Sequence, residues 1–268
     1  MRFHGGSIML LISMFLISCD KKETLSEVVE RGLNVSSQQT MFLAEELENQ
    51  EKKLPRTYEN NELKTVGYKS WVSGFFPGVL WYLYENDPTE ELKRYAELYT
   101  SRVEPAKNMT STHDLGFMLY CSFGNGYRLT HDSTYLEVLK TGSKSLATRF
   151  NSKIGAINSW GDRGKWQYPV IIDNMMNLEM LSFVAKKTGK ESYMDMINAH
   201  AQTTLKQHFR PDNSCYHVVS YDTITGLPHA KNTHQGYADE SAWSRGQAWA
   251  LYGLSLIHIS EPTRRSYI

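Results

Sequence analysis

Two carboxylates in this chain are placed where proton chemistry would need them. Asp173 stands in Tyr168-Pro169-Val170-Ile171-Ile172-Asp173-Asn174-Met175-Met176-Asn177-Leu178, between an apolar run and the start of a helical pattern carried by Leu178, Leu181 and Ala185. As the N-cap of that helix it would feel the positive end of the helix dipole, which lowers a carboxyl pKa. Lying against Val170, Ile172 and Met176, it would be desolvated, which raises the pKa and keeps a proton available near neutrality. An aspartate at a helix start is ordinarily a cap and nothing more, so a chemical role needs a partner. Asp114, in Ser111-Thr112-His113-Asp114-Leu115-Gly116-Phe117, is the candidate.

Other loop and helix-start segments hold residues that could converge with them on a pocket: Trp71, His113, Trp160, and the span from His217 to Trp249. Within Ala242-Trp243-Ser244-Arg245-Gly246-Gln247-Ala248-Trp249, Arg245 and Trp249 are four residues apart and share a face on a helix. A guanidinium can hold a carboxylate through two hydrogen bonds while an indole stacks on an apolar ring face. An Arg beside a Trp is also a common surface cation–π pair.

The elements that would position these residues read as helices of two kinds. Leu25 to about Glu51 is helical in pattern, and Leu54 to Val66 is a polar connection containing Pro55. The aromatic, glycine-rich stretch Ser70 to Trp81 leads into a helix reaching about Tyr84. Asp87-Pro88 begins another helix with proline in its first turn, carrying the stripe Leu92, Tyr95, Ala96, Tyr99. Asp114 to Leu129 is apolar on most sides, whereas Thr134 to Phe150 carries one stripe. Asn174 to Lys187 is again apolar on several sides and ends at Gly189; Ser192 to His208 returns to one stripe. A buried helix alternating with a one-faced helix describes an inner and an outer layer of helical hairpins, an all-α architecture. Strands are expected only in loops such as Tyr216 to Tyr221.

Composition allows a packed core and disfavours disorder, with 41% hydrophobic and 22% charged residues. The 29 basic and 29 acidic residues cancel, and without a basic stripe nucleic acid is not an indicated partner. Residues 1–19 read as an export signal. Arg2 and His4 precede the apolar segment Ile8 to Ser18, too short to span a bilayer. The segment closes on Leu16-Ile17-Ser18-Cys19, which resembles a bacterial lipobox and implies lipidation at Cys19, and Asp20-Lys21-Lys22-Glu23 fits a short tether. An exported lipoprotein, periplasmic or on the cell surface and touching membrane only through its lipid, is the expectation. Cys121 and Cys215 are expected to be buried free thiols. After Gly253 the character changes: Leu254-Ser255-Leu256-Ile257-His258-Ile259-Ser260-Glu261-Pro262-Thr263-Arg264 looks like a translated sequencing-library adapter, so residues 254–268 are expected to be a non-native tail.

Three motifs in this order, Ser111 to Phe117, Ile172-Asp173-Asn174-Met175-Met176-Asn177 and Trp243-Ser244-Arg245-Gly246-Gln247-Ala248-Trp249, resemble glycoside hydrolase family 88, the unsaturated glucuronyl hydrolases, over about Trp71 to Gly253. The resemblance implies an (α/α)6 barrel of helical hairpins, incomplete here with roughly four of six in residues 20–253, and no metal or organic cofactor. It implies removal of a 4,5-unsaturated uronic acid from the non-reducing end of lyase-made oligosaccharides. By position, Asp173 looks like the general acid/base and Asp114 like the second essential carboxylate. His217 and Gln235 are placed like residues near the substrate carboxylate and the attacking water, with His234 a near rival to His217. His113, Arg245 and Trp249 look like substrate contacts, and Trp71 and Trp160 like stacking walls. An ionised Asp114 close by would raise the pKa of Asp173. Two other readings stay open: an unsaturated rhamnogalacturonyl hydrolase, against which the Ser111 to Phe117 stretch argues, and a lipid-anchored sugar-binding protein without turnover.

Overall fold

A computed structural model describes residues 23–161 and 164–260; Cys19 and the 261–268 end lie outside the described residues. Helices dominate: α1 Leu25–Leu47, α2 Phe75–Asn86, α3 Glu90–Val103, α4 Asn125–Thr130, α5 Ser133–Ala147, α6 Asn174–Thr188, α7 Glu191–Gln207 and α8 Ser244–Ser260. A wide-turned π-type stretch, Gly116–Gly124, runs directly into α4.

Local sequence sets the helix ends. Thr24 and Glu27 form a reciprocal capping box at α1, and Thr89 and Asp132 cap α3 and α5 through their side chains. The α3 start corrects the expectation that Asp87-Pro88 opens this helix: Thr89 takes the cap, its hydroxyl accepting from the Leu92 amide at 3.3 Å, and Pro88 stays outside. Gly189, in the left-handed region with φ +70°, stops α6 where a side chain would be strained.

The two helix kinds form two layers. On α3 the buried residues Leu92, Tyr95, Ala96, Tyr99 and Val103 make one stripe. On α6 burial extends around the helix, from Asn174 and Met175 through Asn177, Leu178, Met180 and Leu181 to Val184 and Ala185. α2, the π-type stretch with α4, α6 and α8 form the inner layer, and α1, α3, α5 and α7 the outer one: four hairpins of an (α/α)6 barrel among the described residues. Backbone packs on backbone within the inner layer. A Cβ added at Gly74 would sit 2.2 Å from the Phe117 and Met118 carbonyl oxygens, and one at Gly116 would lie 2.6 Å from the Asn177 Cα. Neither position tolerates a side chain without a shift.

Two β features depart from the all-helical expectation. Leu54–Glu59 (β1) and Glu62–Val66 (β2) form an antiparallel hairpin where a polar connection was expected. Its two-residue turn, Asn60-Asn61, has both residues left-handed (φ 52° and 59°), the twist that suits adjoining strands. A second hairpin is minimal, β3 Phe150–Asn151 with β4 Ala156–Ile157. The three-stranded antiparallel sheet of β5 Pro169–Ile171, β6 Val218–Tyr221 and β7 Pro228–Asn232 contains the strand expected near Tyr216. The helical backbone of α8 continues past Gly253 to Ser260. Cys121 and Cys215 are both free; burial pushes their thiols up to about 12 and about 11, so neither is a ready nucleophile.

Candidate active site

The three-stranded sheet delivers three segments to one place. In the ladder Ile171 pairs with Val218, and Val218 pairs with Asn232. The residues just beyond these positions are therefore neighbours: Asp173 after β5, His217 before β6, and Thr233 to Gln235 after β7. The Ile172 amide donates to the His217 carbonyl at 3.0 Å, extending the ladder to the residue before Asp173.

Asp173 occupies the N-cap position of α6 but makes no side-chain capping hydrogen bond, and it is only 6% exposed. The carboxylate is thus not used up by its helix. Its Oδ2 lies 3.5 Å from His217 Nε2, beyond a good hydrogen bond, and accepts no hydrogen bond from the described residues. The orientation of His217 is fixed from its other nitrogen: Nδ1 accepts the backbone amides of His234 and Gln235 at 3.0 and 3.1 Å. An accepting Nδ1 puts the proton of the neutral ring on Nε2, facing Asp173.

Asp114 is brought to the same mouth by two links. The His113 amide donates to the Ser159 carbonyl, while Ser159 bonds β5 through its amide to Pro169 and through its hydroxyl from the Ile171 amide. On the other side, the Phe117 amide donates to Asn177 Oδ1 at 2.9 Å, one turn into α6 from Asp173. The segment bearing Asp114 is therefore tied to the chain both before and after Asp173. Asp114 Oδ2 accepts the Thr112 hydroxyl at 2.7 Å, and Oδ1 lies 3.2 Å from His113 Nε2. Burial works to raise the Asp114 carboxyl, but His113, the Thr112 hydroxyl and Arg149 outweigh it and hold the group below its ordinary value.

Aromatic rings join these groups in a circle. His113 meets Trp160 (6.4 Å between centroids), Trp160 meets His234 (5.7 Å), and His234 meets His217 (6.5 Å). His217 meets Trp243 (4.5 Å), Trp243 meets Trp249 (5.6 Å), and Trp249 meets both Phe117 (5.5 Å) and Trp71 (6.4 Å). Phe117 lies three residues after Asp114, so the circle closes through the backbone of that segment rather than through a ring contact. Arg245 lies over Trp243 and Trp249, and its Nη2 donates to Gln235 Oε1 at 2.6 Å. Every site residue named from the sequence among the described residues, Trp71, His113, Asp114, Trp160, Asp173, His217, Gln235, Arg245 and Trp249, therefore lies on this circle or one contact from it. Phe75 and Phe117 also line a cavity of about 570 Å³ running along α2, the π-type stretch and α6. Among the described residues no group of three or more His, Cys, Asp or Glu side chains could hold a metal ion.

The Glycosyl Hydrolase Family 88 profile matches residues 42–267. The chain belongs to this family. It is 46% identical over 193 residues to an unsaturated glucuronyl hydrolase of Formosa agariphila, covering 71% of this chain and 48% of that protein. It is 32% identical over 240 residues to an unsaturated chondroitin disaccharide hydrolase of Streptococcus agalactiae, covering 88% of this chain and 58% of that one. The crystal structure of an unsaturated glucuronyl hydrolase specific for heparin superposes with a TM-score of 0.80 at 43% identity, covering 87% of this chain and 63% of the other. A mutant S. agalactiae enzyme complexed with dGlcA-GalNAc6S superposes at 0.69 with 27% identity, over 87% of this chain and 57% of that one. This family 88 chain thus spans about half the length of the curated relatives it matches.

Sequence reasoning passed over several members of the site. Trp166, 1% exposed, stands 5.8 Å from Trp160 and 5.7 Å from His234, and its indole N–H donates to Asn232 Oδ1. In sequence it is one tryptophan in a polar loop, with no periodicity to mark it. Ser159 and Asn177 act through backbone groups far along the chain, which no local pattern reveals. Trp243 packs closer to His217 than His234 does, at 4.5 Å against 6.5 Å between centroids.

Proposed function

We propose that this chain carries the proton-transfer part of a hydrolase that removes a 4,5-unsaturated uronic acid from the non-reducing end of glycosaminoglycan-type oligosaccharides made by lyases. The C4=C5 double bond of such a sugar is conjugated to its carboxylate and forms a vinyl ether with the ring oxygen. Asp173 gives a proton to C4, and positive charge builds at C5 and the ring oxygen. The same group, now a carboxylate, takes a proton from a water that adds at C5. The resulting hemiketal opens and the glycosidic bond is lost without attack at C1, unlike the usual pair of glycosidase carboxylates. Asp114, held ionised by its neighbours, lies at the same mouth as a fixed negative charge for the developing cation. Trp71, Trp160 and Trp249 offer apolar faces to the sugar, and Arg245 a guanidinium to its carboxylate.

The observation that carries this reading is the buried Asp173 carboxyl, uncommitted to its helix and facing an oriented His217 N–H. The names of the relatives support the substrate class, since they include enzymes for heparin and for chondroitin disaccharides. The test is ultraviolet absorbance at the enoyl-carboxylate band: adding the chain to a lyase-made glycosaminoglycan disaccharide should abolish it. Saturable binding with the band intact would favour the sugar-binding reading, and loss only with rhamnogalacturonan fragments the other hydrolase. We further place the site outside the cytoplasm, tethered by a lipid on Cys19. Labelled fatty acid should enter the chain in cells and be absent from Cys19→Ala.

A further inference from the structure

His217 is oriented by a turn that is itself held from the surface. Thr233 to Gly236 folds tightly: the Gly236 amide donates to Thr233 Oγ1 at 2.7 Å, and a Cβ at Gly236 would meet that oxygen at 2.5 Å. This curl points the His234 and Gln235 amides at one ring nitrogen, His217 Nδ1, with Thr233 Oγ1 at 3.5 Å from it. Asp239 anchors the start of the turn. Its Oδ1 accepts the Thr233 amide at 2.7 Å, and its Oδ2 accepts Asn232 Nδ2 at 3.0 Å. These bonds, with that from Thr233 the larger, hold the exposed Asp239 carboxyl below the usual range. The Asp239 backbone is secured separately, its carbonyl accepting Arg210 Nη2 at 2.8 Å.

We propose that Asp239 is a positioning residue: it clamps the Asn232 to Gly236 turn so that two amides keep His217 Nδ1 as an acceptor, leaving the ring proton on Nε2 toward Asp173. A ring with an accepting Nδ1 cannot present a lone pair to the carboxylate, so Asp173 always faces a donor. Without the clamp the turn relaxes, the Nδ1–H form becomes accessible, and Nε2 would then compete with the substrate for the Asp173 proton. An exposed aspartate far from such a role is replaceable at little cost, which makes the proposal sharp. Its bearing on turnover rests on the reading of Asp173 given above; the tautomer itself does not.

The experiment is nitrogen NMR of the chain labelled at its histidines, with the His217 signals assigned by their absence in His217→Gln. The parent should show an unprotonated Nδ1 and a protonated Nε2. Asp239→Ala should move both signals toward a tautomer average while circular dichroism stays unchanged, since Arg210 still holds the backbone. Asp239→Asn keeps an acceptor for the Thr233 amide and should restore most of the parental pattern. On the unsaturated disaccharide, Asp239→Ala should lower kcat by between about tenfold and a hundredfold and leave KM within about twofold. An Nδ1–H tautomer in the parent, or a His217 spectrum identical in the parent and Asp239→Ala, overturns the proposal. Should Asp239→Ala fail to fold, the parent tautomer and Asp239→Asn decide it. A parental Nε2–H tautomer shifted by Asp239→Ala, with no disaccharide turnover, would uphold the clamp and count against the hydrolase reading alone.

Discussion

The mouth of the barrel holds two aspartates, each beside a buried histidine, and they are treated in opposite ways. Asp114 is 22% exposed in its side chain, has one oxygen on the Thr112 hydroxyl and the other 3.2 Å from His113 Nε2, and is held low. Asp173 is 8% exposed in its side chain, caps nothing with it, and has an oxygen that accepts from no described donor while His217 Nε2 stands 3.5 Å away. A carboxylate whose lone pairs are occupied is a fixed charge. A carboxyl with an oxygen left open has somewhere to give a proton from and to take one back. The contrast gives one residue type two environments, and the proposed acid/base and fixed-charge roles rest on that difference.

The largest effect should come from breaking the Asp173 side. Asp173→Asn keeps the shape and removes the exchangeable proton, and general acid/base groups contribute about 10²–10⁴ in rate. Loss of the enoyl band should slow by about a thousandfold, with thermal stability equal to the parent's or higher because a buried ionisable group is gone. A decrease below tenfold would end the acid/base assignment. Asp114→Asn should cost less, about a hundredfold, because charge stabilisation is lost while the proton donor stays. It also has a pH signature. The folded Asp114 carboxyl lies below its ordinary value, so its stabilisation is present above the unfolded pKa and disappears as pH falls through the folded one. The parent should therefore exceed Asp114→Asn in urea resistance near neutrality, with the gap closing in acid. Two deeper histidines provide a common background: burial pushes His200 down to about 3 and His208 to about 4. Both chains should lose stability as pH falls below about 6.5, so this loss cancels in the difference. A gap that widens in acid would mean Asp114 is not the satisfied carboxylate described here.

Much of this contrast can be read from the sequence, and the part that cannot has a physical reason. Asp173 lies between an apolar run and a helical pattern, so its place at the start of α6 follows from periodicity. The inner and outer helices follow from whether the apolar residues surround a helix, as on α6, or keep to one stripe, as on α3. Whether Asp173 spends its oxygens on the cap depends on side-chain geometry within one turn, which periodicity does not carry. The β5–β6–β7 sheet decides which distant segments meet, and strands of three to five residues leave little pattern to find. The β1–β2 hairpin was hidden behind Pro55 and polar residues, although Asn60-Asn61 is the kind of pair that a tight hairpin turn accepts. Ser159 and Asn177, which tie the two aspartate segments together, act on backbone groups ten or more residues away.

The smallest predicted effect makes Asp114 more like Asp173. Thr112→Val removes the hydroxyl on Asp114 Oδ2 while keeping a β-branched side chain of nearly the same shape. The same hydroxyl also accepts the Asp114 amide at 3.2 Å, so the local turn loses two bonds. Hydrogen bonds to a charged group are worth about 1.5–3 kcal/mol when fully buried; with Asp114 partly open to solvent, about 1 kcal/mol of stability should go. His113 and Arg149 remain, so the Asp114 carboxyl should rise but stay ionised at neutral pH, and turnover should fall no more than about threefold. The acid limb is the sensitive readout: the loss should begin at the same pH in both, set by the unfolded carboxyl, but in Thr112→Val it should be smaller and end at a higher pH than in the parent. An unmoved limb would show that the charged neighbours alone set Asp114, and the contrast between the two aspartates would then rest on electrostatics rather than on which lone pairs are filled.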